Sequence, residues 1–237
     1  MHNKMPVQKR YSQYLDGTEQ VLRQSQKEKQ PYTVDVLGRT FVIYPNVFSP
    51  KYFFDTEFFA QELPIHPGET FLEIGCGTGV TTVFAALRGS SHVTAIDINR
   101  DAVKNTQENV VRHGVENKVT VLHGDVYTPL SKDTQFDTIY WNTPFGYVNP
   151  DTDISVLQKA VYDPGYVSTK KFIMQAKNYL NPQGRLLIGF SSTLGKFDML
   201  QQFLTEAGFS IVRLVSKTES VETYPVSFEL FEAFRSK

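Results

Sequence analysis

The chain has 237 residues, of which 41% are hydrophobic, 13% aromatic and 21% charged, with 18 Phe and 12 Tyr. This composition supplies a large core, excludes disorder over most of the length, and predicts one compact domain with at most a small appendage. Lys and Arg (24) nearly balance Asp and Glu (25), so no global field draws the chain to nucleic acid or an anionic membrane, and the single cysteine, Cys76, excludes an intrachain disulfide or a multi-cysteine zinc site.

No apolar run reaches the roughly 18 residues of a membrane span, and the first fifteen residues are polar, without the apolar stretch of a secretion signal. The expectation is a cytoplasmic protein without a resident metal. Residues 1–30 carry Lys4, Lys9, Arg10, Arg23, Lys27 and Lys29 against Asp16, Glu19 and Glu28. This locally basic segment reads as a solvated amphipathic helix or tail, with a basic arm for an acidic partner as the alternative.

Apolar alternation over 32–36 and 40–44, around Leu37-Gly38-Arg39, predicts a short β-hairpin. Residues 55–63 then show a helical stripe that Pro64 stops, and His66-Pro67-Gly68 opens a new unit. The chain therefore divides into an N-terminal extension, 1–64, and a main domain, 65–237. In the latter, strands at 71–74, 93–96, 119–122, 138–141 and 186–190 alternate with helices at 80–88, 102–113 (Asp101 as N-cap), 167–180 and 196–207. Asn181-Pro182-Gln183-Gly184 reads as a turn that stops one of those helices. The last strands, 211–215 and 226–234, are joined too closely for a helical crossover and should pair antiparallel. The predicted class is α/β, a doubly wound, mostly parallel sheet with an antiparallel edge and a small hairpin and helix ahead of it.

The first strand of the main domain runs into Glu73-Ile74-Gly75-Cys76-Gly77-Thr78-Gly79 and then a helix. Glycines there let the backbone turn sharply and approach a ligand at the carboxyl end of the sheet. The spacing is G-x-G-x-G rather than the G-x-G-x-x-G of dinucleotide-binding folds, which weakens a nicotinamide reading. Asp97 closes the second strand, where a carboxylate can accept from two ribose hydroxyls, and Gly124-Asp125 follows the third, facing the same cleft. A tight turn and two solvated loop aspartates are the plain alternatives.

Together, residues 73–79, Asp97 and Gly124-Asp125 resemble the successive cofactor motifs of class I S-adenosylmethionine-dependent methyltransferases, over roughly 65–237. The resemblance implies a seven-stranded sheet and S-adenosylmethionine as cofactor. It implies Gly75, Gly77 and Gly79 at the methionine portion, with Cys76 as a small loop residue between them. Glu73 would then sit near the amino group, Asp97 with Ile98 at the ribose, and Asp125 with Val126 at the adenine.

Strand four ends in Asn142-Thr143-Pro144-Phe145, which resembles the N-P-P-Y motif of HemK-like enzymes and of adenine methyltransferases. The residue types suit a planar NH2 acceptor: the Asn142 side-chain oxygen and the Thr143 carbonyl each accept a hydrogen bond, and Phe145 offers a flat stacking face. Two acceptors on one NH2 aim its lone pair at the methyl donor, so in-line geometry replaces a strong base. Thr143 replaces a proline and loses its fixed φ, which predicts a looser loop, and Phe145 replaces a tyrosine. Asn142, Pro144 and Phe145 are the catalytic candidates. Thr143, Phe145 and Tyr147 are the candidates for holding substrate, and Asn142 also borders the cofactor.

A second resemblance to the same enzymes lies in residues 47–50 followed by Asp55-Thr56-Glu57, which places Thr56 over the transfer centre. The long segment 146–165 reads as a substrate wall, acidic at Asp151 and Asp153, and Lys170 and Lys171 as an exposed basic pair. These features imply an N-methyltransferase acting on a macromolecule, with a protein glutamine as acceptor. The alternatives are N6-adenine methylation of RNA or DNA, which requires an extruded or single-stranded base, and a catalytically silent cofactor-binding module.

Overall fold

The computed structural model describes residues 7–221 and 224–236. Helix α1 (Val7–Ser25) leads into a hairpin of β1 (Tyr32–Val36) and β2 (Arg39–Ile43), then α2 (Asp55–Glu62). The alternating core follows: β3 (Thr70–Ile74), α3 (Val80–Leu87), β4 (His92–Asp97), α4 (Arg100–Arg112), β5 (Val119–His123) and β6 (Phe136–Asn142). After β6 come two short strands, β7 (Gly146–Val148) and β8 (Tyr162–Pro164), then α5 (Val167–Tyr179), β9 (Leu180–Phe190), α6 (Phe197–Glu206), β10 (Phe209–Val221) and β11 (Tyr224–Arg235).

Seven strands form one sheet in the order β10-β11-β9-β6-β3-β4-β5. All its pairings are parallel except those of β11, which runs antiparallel to both β9 and β10. Strand order reverses between β3 and β6, and in doubly wound sheets the crevice beyond that switch point is where ligands bind. Central strand β3 is buried almost throughout, as both of its faces are covered by helices.

Three local expectations change. The α4 cap is Asn99, whose side chain accepts from the Asp101 amide; Asp101 occupies the first turn, where its charge favours the helix dipole. Residues 181–184 do not separate helix from strand: β9 already pairs at Leu180, and the extra residues are absorbed as a bulge between the Phe136–Leu180 and Thr138–Arg185 pairs. The final hairpin is also longer than the alternation suggested. Its register runs unbroken from Val215 to Val221, beyond the β9–β11 pairing that ends at Glu229.

The hairpin and α2 share a core with the sheet, so residues on both sides of position 64 contribute to it. Phe41, Ile43 and Phe59 pack in one cluster with Phe71, Val83 and Leu187. Polar ties reinforce the packing: the Val42 amide donates to Asn109 Oδ1 and the Tyr44 amide to Asn105 Oδ1, both at 2.8 Å.

Helix α1 is docked rather than solvated. Leu22 is 2% exposed, in a cluster with Leu157 and Val161 of the segment between β7 and β8 and with Tyr162, which opens β8. Tyr162 donates its hydroxyl to the Leu15 carbonyl at 3.0 Å, and Gln158 its amide to Glu19 at 3.1 Å. The apolar stripe of an amphipathic helix needs a partner face, and this segment provides it. Lys4 of the basic arm lies outside the described residues. Among the described residues, no helix is long and apolar enough to cross a membrane.

Candidate active site

The loop after β3 adopts positive φ at Gly75, Gly77 and Gly79, which only glycine takes without strain. It is anchored to the neighbouring strand: the Gly75 and Cys76 amides donate to the Ile96 carbonyl, and the Gly77 amide donates to Asp97 Oδ2 at 2.9 Å. The other Asp97 oxygen accepts from the Asn99 amide at 2.8 Å. Burial raises the Asp97 pKa against the pull of these amides; each oxygen takes one amide bond and keeps acceptor capacity for a ligand.

Glu73, the penultimate residue of β3, is 4% exposed and accepts from the Thr82 hydroxyl of α3. Loss of solvent pushes its pKa up to about 8, with the nearby Asp97 charge adding to the effect. A positively charged ligand group beside it would reverse that shift. Burial, with Asp97 and Glu73 as neighbours, likewise drives the Cys76 thiol well above its ordinary range, and Thr106 donates to its sulfur at 3.3 Å. Cys76 is a buried loop residue, inert as a nucleophile.

Beyond these residues a cavity of about 430 Å³ opens, within the range of small-molecule sites. Thr56, Glu73, Gly75, Cys76, Gly77 and Asp97 line it on one side; Ile98, Asp125, Val126, Asn142 and Pro144 complete the predicted set that it gathers. Gly79 does not line it: the loop closes there against α4, where an added Cβ would come within 3.0 Å of the Thr106 backbone. Thr143, Phe145 and Tyr147 also lie outside the lining.

Thr143 is buried, and its hydroxyl and amide both donate to the Gly189 carbonyl, at 2.9 and 3.1 Å. This holds the loop after β6 to β9, so the looseness expected from losing proline is replaced by a side-chain tether. Phe145 packs within an aromatic group, with Phe228 at 5.8 Å, Phe190 at 6.3 Å and Tyr14 of α1 at 6.3 Å between ring centroids. Its carbonyl accepts from the Tyr166 hydroxyl at 2.6 Å. Tyr147 stands edge-on to Tyr166, with the Lys196 ammonium 3.4 Å from its ring centre.

The two expected surface lysines are paired. Lys171 donates to Asp125 Oδ2 at 2.6 Å, and Lys170 lies 3.5 Å from Glu206. The first pair comes from the turn after β5 and the first turns of α5, a meeting that linear spacing does not reveal. The wall formed by 146–165 is present, and Pro150, Asp153, Leu157 and Tyr162 are among its lining residues. Sequence reasoning missed Asp55 as a member of the site: it accepts from Asn142 Nδ2 at 2.9 Å across 87 positions of chain. Its position directly before Thr56, in the segment already singled out, was the available signal.

The residues present suit an adenosine-bearing, cationic cofactor. Two buried carboxylates have open acceptor capacity, the glycine backbone borders the cavity, and Asn142 Oδ1 is buried without a partner. Among the described residues, no cluster of three or more His, Cys, Asp or Glu side chains is arranged to hold a metal.

Comparison with known proteins agrees with this geometry. The family model described as Methyltransferase small domain matches residues 38–220. A Methanocaldococcus jannaschii protein, named provisionally as a protein N5-glutamine methyltransferase, is 26% identical over 181 residues, covering 75% of this chain and 88% of its own length. The tRNA1(Val) (adenine(37)-N6)-methyltransferase of Shewanella loihica is 27% identical over 140 residues, covering 56% of this chain and 57% of that protein. Among solved structures, the M. jannaschii tRNA m1G37 methyltransferase superposes with a TM-score of 0.62 at 16% identity, over 89% of this chain and 58% of that one. The chain thus spans little more than half of these two tRNA-modifying proteins.

Proposed function

The chain belongs to the methyltransferase small-domain family and is an S-adenosylmethionine-dependent N-methyltransferase; from that premise we propose that its acceptor is the side-chain amide of a glutamine in a protein. The observation that carries the choice of acceptor is the charge of the cavity wall. Apart from Glu73, Asp97 and Asp125, which face the cofactor, the described lining residues carry Asp153 and Asp163 against one basic side chain, Lys159. Phosphate-rich substrates are held by basic grooves, and this wall does not form one. The likeness to the glutamine methyltransferase over 88% of that protein's length supports the same reading.

S-adenosylmethionine, when bound, supplies an electrophilic methyl group on a sulfonium. Glu73 would hold the amino end, the 75–77 backbone would pass beside the methionine portion, Asp97 would take the ribose hydroxyls, and Asp125 with Val126 would border the adenine. Thr56 and Ile98 line the remaining wall. On the acceptor side, Asn142 Oδ1 would accept an N–H bond of the amide and so help to aim the nitrogen lone pair, while Thr143, outside the lining, holds the loop through Gly189. Pro144 shapes the cavity there, while Phe145, braced by Phe190 and Phe228, and Tyr147 support the acceptor wall. Exclusion of water strengthens each of these contacts.

The test is to incubate the protein with tritium-methyl-labelled S-adenosylmethionine and a cell extract, then to treat the product with protease or nuclease. Protease-sensitive label that exhaustive enzymatic digestion releases as N5-methylglutamine, and acid hydrolysis as labelled methylamine, is expected. Nuclease-sensitive label would replace this reading with N6-adenine methylation, and incorporation undiminished by Asn142→Ala would overturn the NH2-orienting arrangement.

A further inference from the structure

A carboxamide has two unlike ends. The oxygen accepts and the nitrogen donates, and the two are close to the same size. Asn142 can orient an acceptor N–H only if its oxygen is the end left over, and an amide turned by 180° would present a donor to a donor. Some contact has to choose between the two arrangements.

Asp55 supplies that contact. As the first residue of α2 it is 5% exposed; burial raises its pKa, while the Asn142 side chain and the backbone amides of Asp55 and Thr56 pull it back toward the ionised form. An ionised carboxylate only accepts, so it pairs with the NH2 end of Asn142, at 2.9 Å, and rejects the oxygen. Asn142 Oδ1 is left buried and unpartnered. Gly189 lies against this oxygen, where a Cβ would sit 2.9 Å from it. A buried orphan acceptor destabilises the fold and a buried carboxylate does so more, so packing alone gives no reason to keep this arrangement.

We infer that Asp55 is a positioning residue that fixes the polarity of the Asn142 side chain, so that Oδ1 is the atom offered to the acceptor nitrogen. The inference rests on the proposed NH2-bearing acceptor. Asp55 acts through Asn142 and does not itself line the cavity.

The test uses the full chain, tritium-methyl-labelled S-adenosylmethionine and the extract as acceptor source. Asp55→Asn keeps volume but introduces an end that donates. The maximal labelling rate should fall about 100-fold, the scale of a misplaced reacting group, while half-saturation by extract and the affinity for S-adenosylhomocysteine stay within about twofold. A merely structural role would instead lower the melting temperature and weaken cofactor binding along with the rate. The exchanged pair D55N/N142D provides the second measurement: the introduced amide at position 55 donates to the introduced carboxylate at 142, whose other oxygen remains an acceptor. It should label at least about tenfold faster than N142D alone, which sets two carboxylates against each other. Full activity of D55N beside an inactive N142A overturns the role of Asp55 and leaves the function intact. Full activity of N142A removes the function reading itself. An exchanged pair no better than N142D overturns the inference even where D55N fails to fold.

Discussion

Thr143 donates from both its hydroxyl and its amide to one carbonyl, that of Gly189, and so ties the loop after β6 to strand β9. The residue is buried, so each lost bond leaves part of that carbonyl's capacity unfilled. Thr143→Val, of similar shape but without the hydroxyl, should destabilise the protein by about 1–2 kcal/mol, or about 2–8 °C in melting temperature for a chain of this size. Thr143→Pro removes both bonds and should cost more, although proline stands there in the resembled motif. Thermal unfolding of the two variants checks the order.

Asp97 has two tasks, since it holds the Gly77 amide and faces the cavity. Asp97→Ala should weaken S-adenosylhomocysteine binding by about 100-fold or more, because two charge-assisted contacts, each worth about 1.5–3 kcal/mol, are lost with the loop's anchor. Calorimetric affinities close to wild type would remove Asp97 from the cofactor site.

Glu73 makes stability depend on pH. Its folded pKa, about 8, lies above the model-peptide value of 4.5, so the folded state keeps a proton that the unfolded state releases. The contribution is fully present below about pH 4.5 and is lost as pH rises toward 8. The protein without cofactor should therefore lose stability across that window, and Glu73→Gln should flatten the dependence. Cofactor binding near pH 7 should release a proton as Glu73 ionises beside the ligand's amino group. Calorimetry in buffers of different ionisation enthalpy would detect the release, and its absence would place the amino group elsewhere.

Leu22 fastens α1 to the segment between β7 and β8. Leu22→Ala should cost about 2 kcal/mol at that contact and appear first as faster hydrogen exchange in α1 and in residues 157–162, before global unfolding. Uniform exchange across the chain would show that α1 is not a separately breaking unit.

What could be read from the sequence was whatever depends on local chemistry. The alternation of β3 through β6, the glycine loop and the carboxylates at strand ends all follow from periodicity and backbone permissiveness, and the cavity gathers most of them. What could not be read depends on partners distant in sequence. The Asp55–Asn142 contact spans 87 positions and Lys171–Asp125 spans 46, so neither pairing is visible until the fold brings the partners together. Gly79 lies outside the lining for a different reason. A glycine required for approach to a helix has the same appearance as one required for approach to a ligand, and only the proximity of Thr106 separates the two cases. The charged α1 hid its docking because the amphipathic stripe of a helix does not say which surface it covers.

The parallel pairing of β7 with β8 joins Gly146 to Tyr162, Tyr147 to Asp163 and Val148 to Pro164. Those three rungs pin both ends of the intervening segment to the scaffold, so its middle can change length or sequence without disturbing β6 or α5. Closing a loop of doubled length costs only about 0.6 kcal/mol. The acceptor wall is thereby separable from the methyl-donor machinery, and exchanging residues 149–161 between relatives is a route to retargeting the enzyme with its cofactor chemistry intact.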